Sequence, residues 1–354
     1  MTNATKPATI QVYLHEVFGF KNPIEGFEKP IRIAAERHPF CPEVNRDYVF
    51  SEDMVARLLG SYAARENIML IGEKGTGKSS MVEQFCARLN LPLMVINGGP
   101  GLDETHLMGC KTIESGTVKS VDGDLSYCIR HGIPVLIDEI ATIKPSVLVS
   151  INDVLNGNKV ITLKHHGIDP TMTPAELARK DGSMVIQRHP EFRLFATDNT
   201  GGKVGKDPRY AGVATQNSAV RSRFTTFKVG FLKPAQELKA LVGATGGKLP
   251  IDTAKSMVEF AIRVRANFEL GEMYDTVSFR ELQRWARKTL VYGNVHTAFV
   301  DAIYTAMEES DQVVAAEIFD LAIGSKLELP NEYASTAQSF LAELDQGGIN
   351  WDAA

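Results

Sequence analysis

The chain has 354 residues, a formal net charge of -5 and 44% apolar residues, the make-up of an ordinary globular protein with room for two domains. A charge of that sign supplies no overall positive field, which argues against a dedicated nucleic-acid binder. The longest apolar run, Ile133-Pro134-Val135-Leu136-Ile137, is far too short to span a bilayer, and Met1-Thr2-Asn3-Ala4-Thr5-Lys6 has no secretory pattern, so a cytoplasmic location without membrane contact is expected.

Residues 1–45 combine an alternating stretch, Ile10 to Leu14, with a Pro- and Gly-punctuated stretch from Gly19 to Pro42, and read as an extension wrapped on something larger. Ser51 is positioned to cap a helix over Glu52 to Arg65, with Val55, Leu58, Leu59 and Tyr62 on one face. Next comes an apolar strand-like run, Asn67 to Ile71, and then Gly72-Glu73-Lys74-Gly75-Thr76-Gly77-Lys78-Ser79, a complete G-x-x-x-x-G-K-S loop. A helix follows, with Met81, Val82, Phe85 and Leu89 at helical spacing.

Strand, glycine loop and helix in that order make a phosphate cradle. Its inward-turned N–H groups and the helix N-terminus favour a polyphosphate, Lys78 reaches the terminal phosphates, and the Ser79 hydroxyl can ligate Mg2+. Gly72, Lys74, Gly75, Thr76, Gly77, Lys78, Ser79 and Ser80 are therefore the candidate contacts of a nucleoside triphosphate.

Further strand-like runs recur at Leu93 to Ile96, Pro134 to Ile137, Arg193 to Thr197 and Thr225 to Val229, separated by helical stretches, which predicts a parallel sheet with helices on both faces. The second of these runs ends in Asp138-Glu139. One acid suits a magnesium shell and the other the orientation of an attacking water. The run Phe192 to Thr200 brings Asn199 to the same expected sheet end, where it can hydrogen-bond a phosphate and the water. Beyond Lys233-Pro234 only helical patterns remain, at 235–242, 253–268, 279–292, 297–307 and 312–323, and Ser278-Phe279-Arg280-Glu281 has capping-box spacing.

Cys41, Cys86, Cys110 and Cys128 form no C-x-x-C pair, and adjacent His165 and His166 would face opposite ways in a strand, so neither a disulfide framework nor a zinc site is expected.

The order of motifs resembles AAA+ ATPases of the helix-2-insert clade, the MoxR group and especially its CobS-type members, the motor subunits of aerobic cobaltochelatase. The likeness runs from about Phe18 to Leu232. It rests on Val17-Phe18-Gly19-Phe20, Gly72 to Ser80, Ala87 to Pro92, Leu107-Met108-Gly109, Asp138-Glu139, and His189-Pro190 running into Phe192 to Thr200. The resemblance implies a P-loop α/β core over 46–232, a helical lid over 233–325 and a tail over 326–354. It also implies ATP and Mg2+ as ligands, with Ser79 and Asp138 at the metal and Glu139 as the catalytic acid.

Asn199 takes the place of a first sensor, and Arg280 that of a second. Arg223 matches an arginine finger supplied by a neighbouring subunit, although Ser222 replaces the family's Asp and Arg221 is a rival cation two residues away. Two insertions, 111–120 and 159–188, occupy the slots of hairpins that face a ring pore or a partner. The second carries Lys159, Lys164, His165, His166 and Arg188. Ala141 stands where the family has a polar residue.

By resemblance the chain forms a homo-oligomeric ring, a hexamer, that remodels a partner carrying a von Willebrand A-type domain. The alternatives are the motor of a cobaltochelatase, a DNA-acting ATPase, and a nucleotide switch without turnover.

Overall fold

The computed structural model describes residues 8–114, 116–163, 171–177, 185–200 and 218–329. The chain divides into two compact units, Met1–Phe231 and Leu232–Ala354.

In the first unit, β1 (Thr9–Val12) pairs antiparallel with β2 (Ile31–Ala34) around a short helix, α1 (Leu14–Phe18). Then come α2 (Glu52–Ala63), β3 (Ile68–Ile71), α3 (Lys78–Arg88), β4 (Met94–Asn97), α4 (Glu104–Met108), the strand pair β5 (Cys110–Glu114) and β6 (Thr117–Val121), α5 (Asp124–His131) and β7 (Val135–Asp138). They are followed by α6 (Pro145–Ser150), α7 (Asn152–Leu155), β8 (Val160–Thr162), α8 (Pro174–Leu177), β9 (Val185–Gln187), β10 (Leu194–Asp198), α9 (Ser218–Arg221) and β11 (Thr225–Lys228).

Five strands form a parallel sheet in the order β11-β3-β10-β7-β4. Its central strands are apolar up to the polar C-terminal ends of β7 and β10 because both faces are covered. Met69, Val135, Ile137, Leu194 and Ala196 face one core, which α5, α6 and α7 complete. The alternate residues Ile68, Leu70, Leu136 and Phe195 face the other, with Val55 and Leu58 of α2 and Val82 and Phe85 of α3.

The acid-bearing strand β7 is separated from the loop-bearing strand β3 by β10, and β4 sits outside β7. The segment between loop and acids in the sequence is thus an outer strand, and the inserted neighbour is the later one. Ser51 occupies the cap position of α2, but its side chain makes no capping bond.

The extension is packed into this unit. Leu14, Phe18, Ile24 and Phe50 are buried against Phe85 of α3, with Phe18 stacked edge-on to Phe50 at 5.0 Å. Polar side chains on and just after α3 bind its backbone. Gln84 accepts from Asn45 N at 2.7 Å and donates to Glu43 O at 2.9 Å. Arg88 donates to Val17 O and Asn45 O, and Asn90 to Ala34 O and Glu36 O.

The second unit contains α10 (Pro234–Ala244), α11 (Ile251–Leu270), α12 (Phe279–Tyr292), α13 (Val295–Ala302) and α14 (Glu309–Ile323) around Phe260, Trp285, Phe299 and Phe319. The helix expected over 297–307 ends at Ala302, and a 3-10 turn follows at Tyr304–Ala306. The capping box is present: Ser278 N donates to Glu281 at 2.6 Å, and Glu281 N donates to Ser278 Oγ. Inside, Arg265 binds Glu237 through both guanidinium nitrogens at 2.8 and 2.7 Å and donates Nε to Val277 O at 2.8 Å. The expected tail lies outside the described residues from 330 onward.

Candidate functional site

The glycine loop leaves β3 and enters α3 with Gly75 and Gly77 at positive φ, 81° and 83°. That conformation is open to glycine and strained for other residues. Gly72 lies so close to the Val229 carbonyl that no Cβ would fit, and its N–H donates to Asp198 O at 3.1 Å. Lys78 is 5% exposed, and its Nζ donates to Gly72 O at 2.9 Å and Glu73 O at 2.8 Å. Burial pulls the Lys78 pKa down to about 8, against the opposing pull of Asp138, Asp198, Glu73 and Glu139.

Parallel register brings the ends of β3, β7 and β10 to one side of the sheet, where ligands of open α/β folds gather. There Ser79 Oγ donates to Asp138 Oδ1 at 2.6 Å, and Thr197 Oγ1 donates to the same oxygen. Thr197 Oγ1 in turn accepts the Glu139 N–H at 2.8 Å. Asn199 Nδ2 donates to Glu139 Oε1 at 3.0 Å. Glu139 adopts left-handed backbone angles, φ 53° and ψ 48°, an uncommon state for a residue with a side chain. Its carboxylate is exposed.

Of the residues picked out in the sequence, Lys78, Ser79, Asp138, Glu139 and Asn199 thus converge. Three partners were not picked out for a role. Thr197 bridges the two acids, Gly98 lies against the Asp138 and Glu139 carbonyls, and Asp198 is 1% exposed, accepts from Thr200, and keeps Oδ2 without a hydrogen bond among the described residues. The polar ending of the β10 segment was the available signal. Its register against β7 was not readable.

Arg223 lies at the opposite side of the sheet. It follows α9 and precedes β11, whose Thr225 pairs with Ile68 at the start of β3. Four strand residues at about 3.3 Å each put roughly 13 Å between that end and the glycine loop, so Arg223 does not serve its own unit's loop. The residue is half-buried, and its guanidinium donates to Asn156 Oδ1 and Ala219 O in exposed hydrogen bonds. Arg221 closes α9 and is also half-buried. Arg280 is exposed at the second position of α12, in the second unit. Ala141 is buried.

Both expected hairpins are antiparallel pairs, β5 with β6 and β8 with β9. The basic cluster proposed for the second is smaller than expected. Arg188 turns inward, donating to Val154 O at 3.0 Å and lying 4.9 Å over the Phe192 ring, and burial lowers its pKa. Lys164, His165 and His166 lie outside the described residues.

The donor set fits a magnesium triphosphate. Ser79 and Asp138 offer hard oxygens side by side, and Lys78 is a buried cation backed by carboxylates at the mouth of a glycine cradle. Among the described residues no cluster of three or more His, Cys, Asp or Glu side chains forms a separate metal site. No helix among them is long and apolar enough to cross a membrane.

Residues 67–224 match the AAA domain of the dynein-related subfamily. The chain is 27% identical over 312 residues to the aerobic cobaltochelatase subunit CobS of a Sinorhizobium species, covering 85% of this chain and 89% of that one. It is 28% identical over 193 residues to an uncharacterized protein of Staphylococcus epidermidis, covering 53% of this chain and 63% of that protein. A solved structure of a candidate ATPase from Cytophaga hutchinsonii superposes with a TM-score of 0.39 at 14% identity, over 84% of this chain and 89% of that one. The phosphate loop, the paired acids and the parallel α/β sheet belong to an ATPase with an AAA domain over residues 67–224, and the chain is similar to CobS over 85% of its length.

Proposed function

We propose that the protein is a homo-hexameric ring motor that hydrolyses Mg-ATP between adjacent subunits and uses the cycle to remodel a partner protein, one with a von Willebrand A-type domain. The observation that carries this reading is the division of the chemistry across the sheet. Lys78, Ser79, Asp138, Glu139 and Asn199 gather at one end, while Arg223 stands at the other, out of reach of its own loop. In this reading a second copy brings Arg223 from its opposite face to the site.

In this reading the glycine loop and Lys78 hold the β- and γ-phosphates. Glu139, fixed through its N–H by Thr197 and through Oε1 by Asn199, accepts a proton from water. The oxygen of that water attacks the γ-phosphorus as the bond to the ADP oxygen breaks, giving ADP and phosphate. Ser79 and Asp138 would hold Mg2+, which supplies charge neutralisation at the phosphoryl oxygens. Arg223 of the neighbour stabilises charge on the transferred group, an effect worth about 10^3 to 10^5-fold. Arg280 is proposed as the second sensor on the strength of its motif alone.

Four free thiols fit a reducing compartment and support a cytoplasmic setting. The similarity to CobS over 85% of this chain favours one second reading, the motor of an ATP-dependent cobaltochelatase.

The test mixes two variants. Glu139→Gln subunits bind ATP without turnover yet present a finger, and Arg223→Ala subunits keep their acids but present none. Each is expected to be inactive alone, and the mixture to regain activity. Absence of recovery at every ratio excludes a finger acting between subunits. Wild-type turnover by Glu139→Gln alone removes the catalytic assignment.

A further inference from the structure

Asn67 immediately precedes β3, the strand that carries the glycine loop, and organises the far end of the sheet. Asn67 is 8% exposed. Its Nδ2 donates to Leu155 O at 2.7 Å and to Arg223 O at 3.1 Å. One buried amide therefore ties together the backbone of Arg223 and the residue immediately before Asn156. Arg188 donates to Asn67 Oδ1 at 3.5 Å and to Val154 O at 3.0 Å, bracing the same corner from β9.

With the backbones joined, the side chains meet. Arg223 donates Nε to Asn156 Oδ1 and Nη1 to Ala219 O, a bond back to the preceding helix α9. Two donors on different edges of a planar guanidinium fix its plane, and Nη2 has no partner among the described residues. Both acceptors are neutral. An amide oxygen and a peptide carbonyl orient the cation without cancelling its charge, whereas a carboxylate at either place would pair with it.

We infer that Asn156 is a positioning residue for the neighbouring subunit's active site: it holds Arg223 in a fixed orientation, ready to meet the phosphoryl group before the interface closes. The inference rests on the reading of Arg223 as a finger acting in trans. Its physical basis is preorganisation, since a long side chain already confined to one geometry loses less freedom when it engages. Among the described residues the Asn156 side chain bonds Arg223 and no residue of its own subunit's phosphate site.

The experiment uses the full chain in mixed rings. Arg223→Ala subunits supply working acids, and Glu139→Gln subunits supply fingers. Adding Asn156→Ala to the finger donor is expected to lower the recovered kcat about tenfold while leaving KM for ATP and the melting temperature of the donor unchanged. Adding Asn156→Ala to the Arg223→Ala acceptor is expected to leave recovery unchanged. In homogeneous rings the double variant Asn156→Ala/Arg223→Ala is expected to match Arg223→Ala alone.

Equal loss from either subunit, or no loss from the donor, overturns the positioning role while the finger stands. An Arg223→Ala protein that turns over at the wild-type rate overturns the finger itself.

Discussion

If Lys78 binds the triphosphate as proposed, binding is expected to depend on pH near 8. In the proposed role the charged lysine is the form that would hold phosphate, and burial lowers its pKa in the free protein to about 8. A bound triphosphate surrounds the ammonium with negative charge and raises that pKa again, so binding takes up a proton. With the free-site value at about 8, about nine-tenths of the lysines are charged at pH 7 and about one-tenth at pH 9. The dissociation constant for Mg-ATP is therefore expected to weaken about tenfold between pH 7 and 9, with uptake of about half a proton at pH 8. Isothermal titration in buffers of different ionisation enthalpy measures both quantities, and Glu139→Gln prevents turnover during the titration. Lys78→Arg is expected to bind with no such dependence, because its guanidinium stays charged. Folding without nucleotide runs the other way: the unfolded lysine, near 10.5, binds more protons than the folded one, so this group's contribution to stability rises from pH 8 to 10.5. A constant that stays within about twofold from pH 7 to 9, with no proton uptake, refutes the assignment of Lys78 as a buried, phosphate-gated cation.

Gly98→Ala would force a methyl to within 3.0 Å of the Asp138 and Glu139 carbonyl oxygens, which are backbone and cannot swing aside. The expected result is a fall in kcat of about a hundredfold at nearly unchanged nucleotide affinity, and wild-type kcat would show that Glu139 does not depend on that strand end. Glu237→Ala removes the carboxylate that Arg265 binds at 7% side-chain exposure, a loss of about 3 to 5 kcal/mol. Calorimetry should find the transition of the helical unit lowered by about 10 °C or more. The double variant Glu237→Met/Arg265→Met is expected to recover most of that loss, and a double variant less stable than the single one would contradict the account.

Features written in one continuous stretch were readable from the residues. The glycine loop with its flanking strand and helix is one, the apolar run ending in Asp138-Glu139 another, and Ser278 to Glu281 a third, because local periodicity and capping chemistry act within a few residues. Relations across the sheet were not. That β10 lies between β3 and β7 depends on how crossovers pack, and the Thr197 hydroxyl reaches Asp138 only because of that order. Asn156 and Arg223 are 67 positions apart and meet through tertiary packing alone. Arg188 has the composition of a surface charge, yet the Phe192 ring and the Val154 carbonyl draw it inward. Ser51 shows the converse, a residue with capping chemistry whose hydroxyl is not used.

The way Gln84, Arg88 and Asn90 grip the extension sets the smallest piece of this chain worth expressing. A fragment cut at the borders of the recognised domain, 67–224, would strip those three side chains of the carbonyls they bind and remove Phe18 and Phe50 from the flank of Phe85. Such a fragment would display a greasy flank on the very helix that begins at Lys78, and would aggregate for reasons unrelated to its chemistry. A start upstream of β1 keeps that flank sealed.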